Sequence, residues 1–265
     1  LEIDVGDPVR EPVSRMRIAA ALDACPQLEQ LWFHDRAVGY ATASADGKYV
    51  LSVSDDNVAC IWDAATGAAV TGRLEHGGSV YHGAFSHDAK HIATACSDGQ
   101  AYVWEVETGK LLQKLQHGRL PNHSGRVAFV NCVRFCPPRP DAPDELIVAT
   151  GSFDHKAHLW NAKTGESLAT LAHADAVNEI HFDPTGQLLI TASYDRTARI
   201  WRWSDTALGG STNPLVLRHE SPVTAMAISP DGSHVLTGVS DGSVMIWSTA
   251  SGEPVGTQRR VHTKA

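Results

Sequence analysis

A histidine facing an aspartate can do acid–base chemistry, and this chain pairs the two repeatedly at one fixed spacing. Counting back from Trp201, Asp195 lies six residues earlier, Thr191 ten earlier and His173 twenty-eight earlier. The same offsets join Trp62 to Asp56, Ser52 and His34, Trp104 to Asp98, Thr94 and His76, and Trp247 to Asp241, Thr237 and His219. Trp160 keeps Asp154 and Thr150 but has no histidine at the matching place. An indole N–H only donates, a carboxylate only accepts, and a hydroxyl and an imidazole do both, so the four types can be matched end to end. Five copies of an active site in one chain would be odd. The four-residue sets are therefore read as structure.

The elements that carry these sets repeat with them. The five tryptophans stand 41 to 56 residues apart in one frame, which is the mark of internal repetition. Before each of them stands an apolar residue: Ile61, Val103, Leu159, Ile200 and Ile246. Two positions earlier come Ala59, Ala101, Ala157, Ala198 and Val244. On a strand these share one face. The other face carries the tryptophan with Cys60, Tyr102, His158, Arg199 or Met245. Both faces are largely covered, as in sheets packed radially and unlike one sheet open to water.

In these positions the chain resembles the WD-repeat β-propellers, over roughly residues 34 to 257. The resemblance implies an all-β fold of four-stranded antiparallel blades, five recognisable repeats with a partial N-terminal blade, and a buried hydrogen-bonded chain of His, Ser/Thr, Asp and Trp in each repeat. The expected division is 1–33 as a partial or closing blade, then repeats over 34–75, 76–116, 117–172, 173–218 and 219–265. Within the first repeat Ala45-Asp46-Gly47 and Asp55-Asp56-Asn57 mark its two hairpin turns, an Asp-Gly pair supplying the positive φ of a tight turn.

Two repeats are irregular. The third has histidines at 117 and 123, neither at the usual offset, and His123 is taken as its tetrad member. Its first hairpin holds Cys136-Pro137-Pro138-Arg139-Pro140-Asp141-Ala142-Pro143-Asp144, and four prolines exclude a central strand. The fourth carries a Gly/Ser insertion over 204–213. Leu28 to Phe33 looks like the outer strand of an earlier blade, and Val261-His262 like the start of a further repeat. The sequence reads as part of a longer array.

Composition sets outer limits. The 265 residues include 43% hydrophobic and 20% charged, with a net charge of −8, an ordinary globular balance. The negative charge argues against a nucleic-acid surface, where basic side chains supply most of the affinity. No apolar run is long enough to span a membrane, and Leu-Glu-Ile-Asp-Val is not the start of a signal peptide. Five cysteines without a Cys-x-x-Cys spacing fit a reducing compartment, and a cytoplasmic location is expected. His82, His87, Asp88 and His91 fall on two strands and a turn with no spacing that aims them at one point. Cys132 and Cys136 with His123 are equally weak as zinc ligands. No metal, no cofactor and no catalytic residue is expected.

The motifs of phosphate-binding loops, metalloproteases and α/β-hydrolases are missing. The leading reading is a non-catalytic interaction scaffold that presents rim loops to a protein partner. By the resemblance, rim contacts come from the residue before each tetrad Asp (Asp55, Ser97, Phe153, Tyr194, Ser240) and from the start of the first strand (Tyr81, Asn178, Thr224). Tyr81, Phe153, Asn178, Tyr194 and Arg196 are the expected partner-binding set. The alternative is a regulatory or targeting region of a larger signalling enzyme, because segments such as Trp62 to Gly67 resemble bacterial WD-repeat arrays joined to Ser/Thr kinase or ATPase domains.

Overall fold

The computed structural model describes residues 32–121, 126–140, 142–202, 213–257 and 259–260. The chain divides into two compact units, Leu1–Phe33 and His34–Ala265, and the described strands belong to the second. His123, His262, residues 28–31 of the expected early strand and nearly all of the Gly/Ser insertion lie outside the described residues.

Five sheets follow one another along the chain, each of four antiparallel strands in sequence order. The first is β1 (Val38–Ala43), β2 (Tyr49–Ser54), β3 (Val58–Asp63) and β4 (Leu74–Glu75). The second is β5 (Val80–Phe85), β6 (His91–Cys96), β7 (Gln100–Glu105) and β8 (Leu111–Gln116). The third is β9 (Val130–Phe135), β10 (Ile147–Ser152), β11 (Lys156–Asn161) and β12 (Ser167–Ala172). The fourth is β13 (Val177–Phe182), β14 (Leu188–Ser193), β15 (Thr197–Arg202) and β16 (Leu215–Arg218). The fifth is β17 (Val223–Ile228), β18 (His234–Val239), β19 (Ser243–Ser248) and β20 (Arg259–Arg260). The proline-rich stretch after Phe135 forms no strand among the described residues. The fourth strand of the first sheet has only two residues. Val70 still donates to Ile61 at 2.8 Å, but regular pairing resumes only at Leu74.

The alternation on the third strands becomes the packing between sheets. Each apolar residue before a tryptophan shares a buried cluster with the tryptophan of the next sheet: Ile61 with Trp104, Val103 with Trp160, Leu159 with Trp201, Ile200 with Trp247. The alanine two positions earlier lets the neighbouring sheet approach. Burying one such aliphatic side chain contributes about 1.5–3 kcal/mol. The fifth sheet breaks the series. Ile246 is 45% exposed and Leu236, on the paired strand, 41%, whereas their counterparts Ile200 and Ile190 are buried.

Within each sheet a hydroxyl joins histidine to tryptophan. Ser52 Oγ lies 2.7 Å from His34 Nε2 and accepts from the Trp62 indole at 2.8 Å. Thr94, Thr191 and Thr237 do the same for His76 with Trp104, His173 with Trp201 and His219 with Trp247. Asp56 and Asp195 meet the other imidazole nitrogen at 3.1 and 2.9 Å. In the third sheet it is His117, not His123, whose Nε2 lies 2.9 Å from Thr150 Oγ1. The backbone explains the choice. His76, His117, His173 and His219 each donate their own N–H to a residue in the preceding rim turn: Asn57, Gly99, His155 and Arg196. That hook fixes the histidine before the insertion begins, so the extra residues fall between His117 and β9.

Candidate functional site

The rim on which the candidate residues gather is built by two recurring backbone devices. In every sheet the residue before the tetrad aspartate donates its N–H across to the residue before the first strand: Asp55 to Ala37, Ser97 to Ser79, Phe153 to Phe129, Tyr194 to Ala176, Ser240 to Pro222. These bonds bring the hairpin turn and the strand entry to the same edge. Next to them the register between first and second strands slips at one residue, leaving Gly39, Tyr81, Asn131, Asn178 and Thr224 unpaired. Such bulges re-aim a side chain away from the sheet.

On the second, third and fourth sheets the two devices place four aromatic rings in successive contact. Tyr81 lies 6.1 Å from Phe129, Phe129 6.0 Å from Phe153, and Phe153 6.4 Å from Tyr194, all centroid to centroid and at steep angles. Those separations are in the range where the positive edge of one ring meets the negative face of the next. Phe129 is 42% exposed and Tyr194 37%, with Phe153 and Tyr81 half-buried between and beside them. Val127, also exposed, extends the apolar surface alongside. Burial holds the Tyr81 phenol above its usual pKa, opposed by a bond to the Ser97 hydroxyl.

The structure thus brings together Tyr81, Phe153 and Tyr194 from the expected set and adds Phe129. The offset of Trp160 gave no warning of Phe129, since the insertion disturbs the count. The signal was the valine that opens each first strand: Phe129 precedes Val130 as Ala37 precedes Val38 and Ala176 precedes Val177. Arg196 is exposed beside Tyr194 and takes a left-handed φ of 67°. Asn178 has structural work: its carbonyl groups accept from Asn131 Nδ2 at 2.9 and 3.3 Å, and its own amide reaches the Val223 carbonyl. Asp55, Ser240 and Thr224 are exposed on sheets without aromatic partners, and Ser97 is half-buried.

The remaining clusters do not converge on this rim. His82 stacks on Tyr40 at 4.1 Å and contacts the Arg134 guanidinium, His87 is exposed, and Asp88 accepts from the Ser86 hydroxyl. Cys132 is buried and unbridged, with its thiol pushed up to about 12 by desolvation, and Cys136 is buried as well.

Radially stacked four-stranded blades with a His–Ser/Thr–Trp bridge in each define a β-propeller of the WD type. The family model described as WD domain, G-beta repeat matches residues 27–63, 70–105, 113–161, 165–202 and 213–248. The chain belongs to the WD-repeat family. It is similar to the Periodic tryptophan protein 2 homolog of Neurospora crassa, 36% identical over 113 residues, which are 42% of this chain and 12% of that protein. It is similar also to the U3 small nucleolar RNA-associated protein 15 homolog of Bos taurus, 30% identical over 105 residues, 40% of this chain and 20% of that protein. The WD repeat and SOCS box-containing protein 1 of Homo sapiens is 32% identical over 107 residues, 40% of this chain and 25% of that protein. Each match spans a quarter or less of the relative's length. These relatives are eukaryotic, and their names lend no support to a link with a bacterial kinase or ATPase.

Proposed function

We propose that the chain is a non-catalytic docking module that seats a protein partner on the aromatic arc of its second to fourth sheets. One observation carries the reading: four rings from three repeats stand in successive tilted or edge-to-face contact along one rim, with the two largest exposures at Phe129 and Tyr194. Aromatic residues and arginine are the usual anchors of protein interfaces, and Arg196 lies at the end of the arc. A row of half-buried rings also loses little freedom on binding, since the neighbours already hold them.

A protein is favoured over nucleic acid by the charge. The chain carries −8, and only Arg196 among the arc residues is cationic, too little for a phosphate surface. The name of one relative records association with RNA, so the test must separate the two. The wild type and a Phe129→Ala/Tyr194→Ala variant are immobilised and used to capture partners from source cells, with nuclease treatment in parallel. Protein capture that resists nuclease and is lost in the folded variant supports the reading. Equal capture by the variant, or capture abolished by nuclease, overturns it.

A further inference from the structure

We propose that His117, Asp154 and His158 form a binding site for a divalent transition-metal ion, with zinc the best match to the donor set. The three donor atoms, two imidazole nitrogens and one carboxylate oxygen, lie within 4.8 Å of one another. Asp154 Oδ2 is 3.7 Å from His117 Nδ1 and 3.4 Å from His158 Nε2. Around a tetrahedral ion with bonds of about 2.0–2.2 Å, neighbouring donors stand roughly 3.3–3.5 Å apart. His158 Nε2 makes a long hydrogen bond to Asp154 Oδ2 and His117 Nδ1 stands beyond bonding range of it, and both separations match donors spaced around one ion.

The hydrogen bonds around the three residues leave the right atoms to coordinate. His117 Nε2 is engaged by Thr150 Oγ1 at 2.9 Å, and His158 Nδ1 by Thr170 Oγ1 at 3.2 Å. Each imidazole can therefore give its proton to a threonine hydroxyl and turn a lone pair toward Asp154, the arrangement that orients metal-bound histidines. Asp154 is fixed in turn, Oδ1 accepting from the Lys156 N–H and Oδ2 from the Gly118 N–H at 3.0 Å each. His117 Nδ1 has no hydrogen-bond partner among the described residues although its side chain is fully buried. In whichever tautomer, that nitrogen is left with an unmet need, which is costly inside a protein. An ion meets it.

The other sheets show what the same place does without a second imidazole. In the first and fourth, histidine and aspartate bond directly at 3.1 and 2.9 Å. Asp98 instead accepts from the Tyr102 hydroxyl, and Asp195 also accepts from Arg199 at 3.2 Å. In these two bonds the tyrosine hydroxyl and the arginine guanidinium supply the proton. In the second and fifth sheets the histidine does not bond its aspartate either, His76 Nδ1 lying 2.8 Å from the Leu74 carbonyl and His219 Nδ1 having no hydrogen-bond partner among the described residues. Only in the third sheet does a second imidazole, that of His158, stand beside the carboxylate. Linear spacing conceals the set, because its members come from a loop, a turn and a strand. Carboxylate and imidazole donors suit zinc, and equally nickel or copper, but not calcium.

The test strips the protein with a chelator and titrates Co2+ as a spectroscopic probe and Zn2+ by calorimetry. Expected are one equivalent per chain, a visible d–d band of low coordination number, and a higher Tm with Zn2+. The chain has fourteen histidines, so variants must separate this site from surface binding. His158→Arg and His158→Tyr copy the fourth and second sheets and keep a donor for Asp154, so each should fold yet lose the band and the Zn2+-dependent rise in Tm. His87→Gln, on the surface, should keep both. No uptake by the folded wild type, or undiminished uptake by either His158 variant, overturns the proposal.

Discussion

The ring of Phe129 lies 6.0 Å from that of Phe153 at an angle of 61°, and the Phe129 carbonyl accepts both the Phe153 N–H and the Ser152 hydroxyl at 2.9 Å. The insertion that lengthens the third repeat is thus tied back to the rim at the residue where it ends. Backbone bonds hold the position, which frees the side chain for a partner.

Phe129→Ala should separate binding from stability. The ring is already 42% exposed, so its loss should lower the free energy of unfolding by less than about 1 kcal/mol, as at most partly exposed sites. If it anchors a partner, removal should cost about 2 kcal/mol or more of affinity, roughly a thirtyfold rise in Kd. Urea unfolding and a titration with the captured partner measure the two quantities on one preparation.

Arg196 should show the opposite balance. It holds φ at 67° in a turn where the second and fifth sheets use Gly99 and Gly242, at 83° and 86°. A left-handed conformation costs a residue with a Cβ roughly 1–2 kcal/mol. Arg196→Gly is expected to leave the fold as stable or raise it by about 1 kcal/mol while weakening partner binding. A variant that is less stable would show that the guanidinium supports the fold.

The repeat, the strand faces and the hydroxyl bridges were legible in the sequence because they recur at fixed offsets. Ser52, Thr94, Thr191 and Thr237 sit where counting places them. His117 was not, since a count of residues cannot tell whether an insertion falls before or after the histidine; the backbone bond to Gly99 decides it. Phe129 was hidden for the same reason. The arc itself needs three dimensions, as its rings come from entries and hairpins of three sheets. Arg196 and Tyr194 were visible because they lie inside the regular frame.

Thr191→Val tests the bridges. Thr191 is completely buried, 2.7 Å from His173 Nε2 and 2.9 Å from the Trp201 indole nitrogen. Valine keeps the shape and removes the oxygen. Two buried polar groups then lose their partner, at about 1–3 kcal/mol each. Urea unfolding should show a loss of roughly 2–4 kcal/mol, and a change under about 0.5 kcal/mol would mean that the bridge is ornamental.

Ile200 and Ile246 occupy one position in neighbouring repeats but not one environment. Ile200 is 3% exposed and shares a cluster with Trp247, whereas Ile246 is 45% exposed. Ile200→Ala should destabilise by about 2–5 kcal/mol, the range for a buried isoleucine. Ile246→Ala in the same chain should cost less than about 1 kcal/mol. Equal costs in urea unfolding would mean that something covers Ile246 in solution.

Acid should weaken the fold in two stages. Burial is the chief cause that pushes the His76 imidazole down to about 4 and lowers His117, His173 and His219 as well. A depressed histidine is neutral in both states above its unfolded value of about 6.5. Between there and 4 the unfolded chain takes up the proton first, so stability is full near neutrality and falls as pH drops through that window. For His76 alone the loss is at most about 3 kcal/mol. Below about 4 a second stage follows, because the hydrogen bonds that Asp195 accepts, from His173 foremost, outweigh desolvation and hold it below the usual carboxylate range. That carboxylate contributes stability that is lost as it protonates. A series of urea midpoints from pH 7 to pH 3 should fall throughout, and His76→Gln should flatten the upper stage without changing the lower. A curve flat between pH 6.5 and 4 would mean that these histidines gain their proton as easily in the folded chain as in the unfolded one.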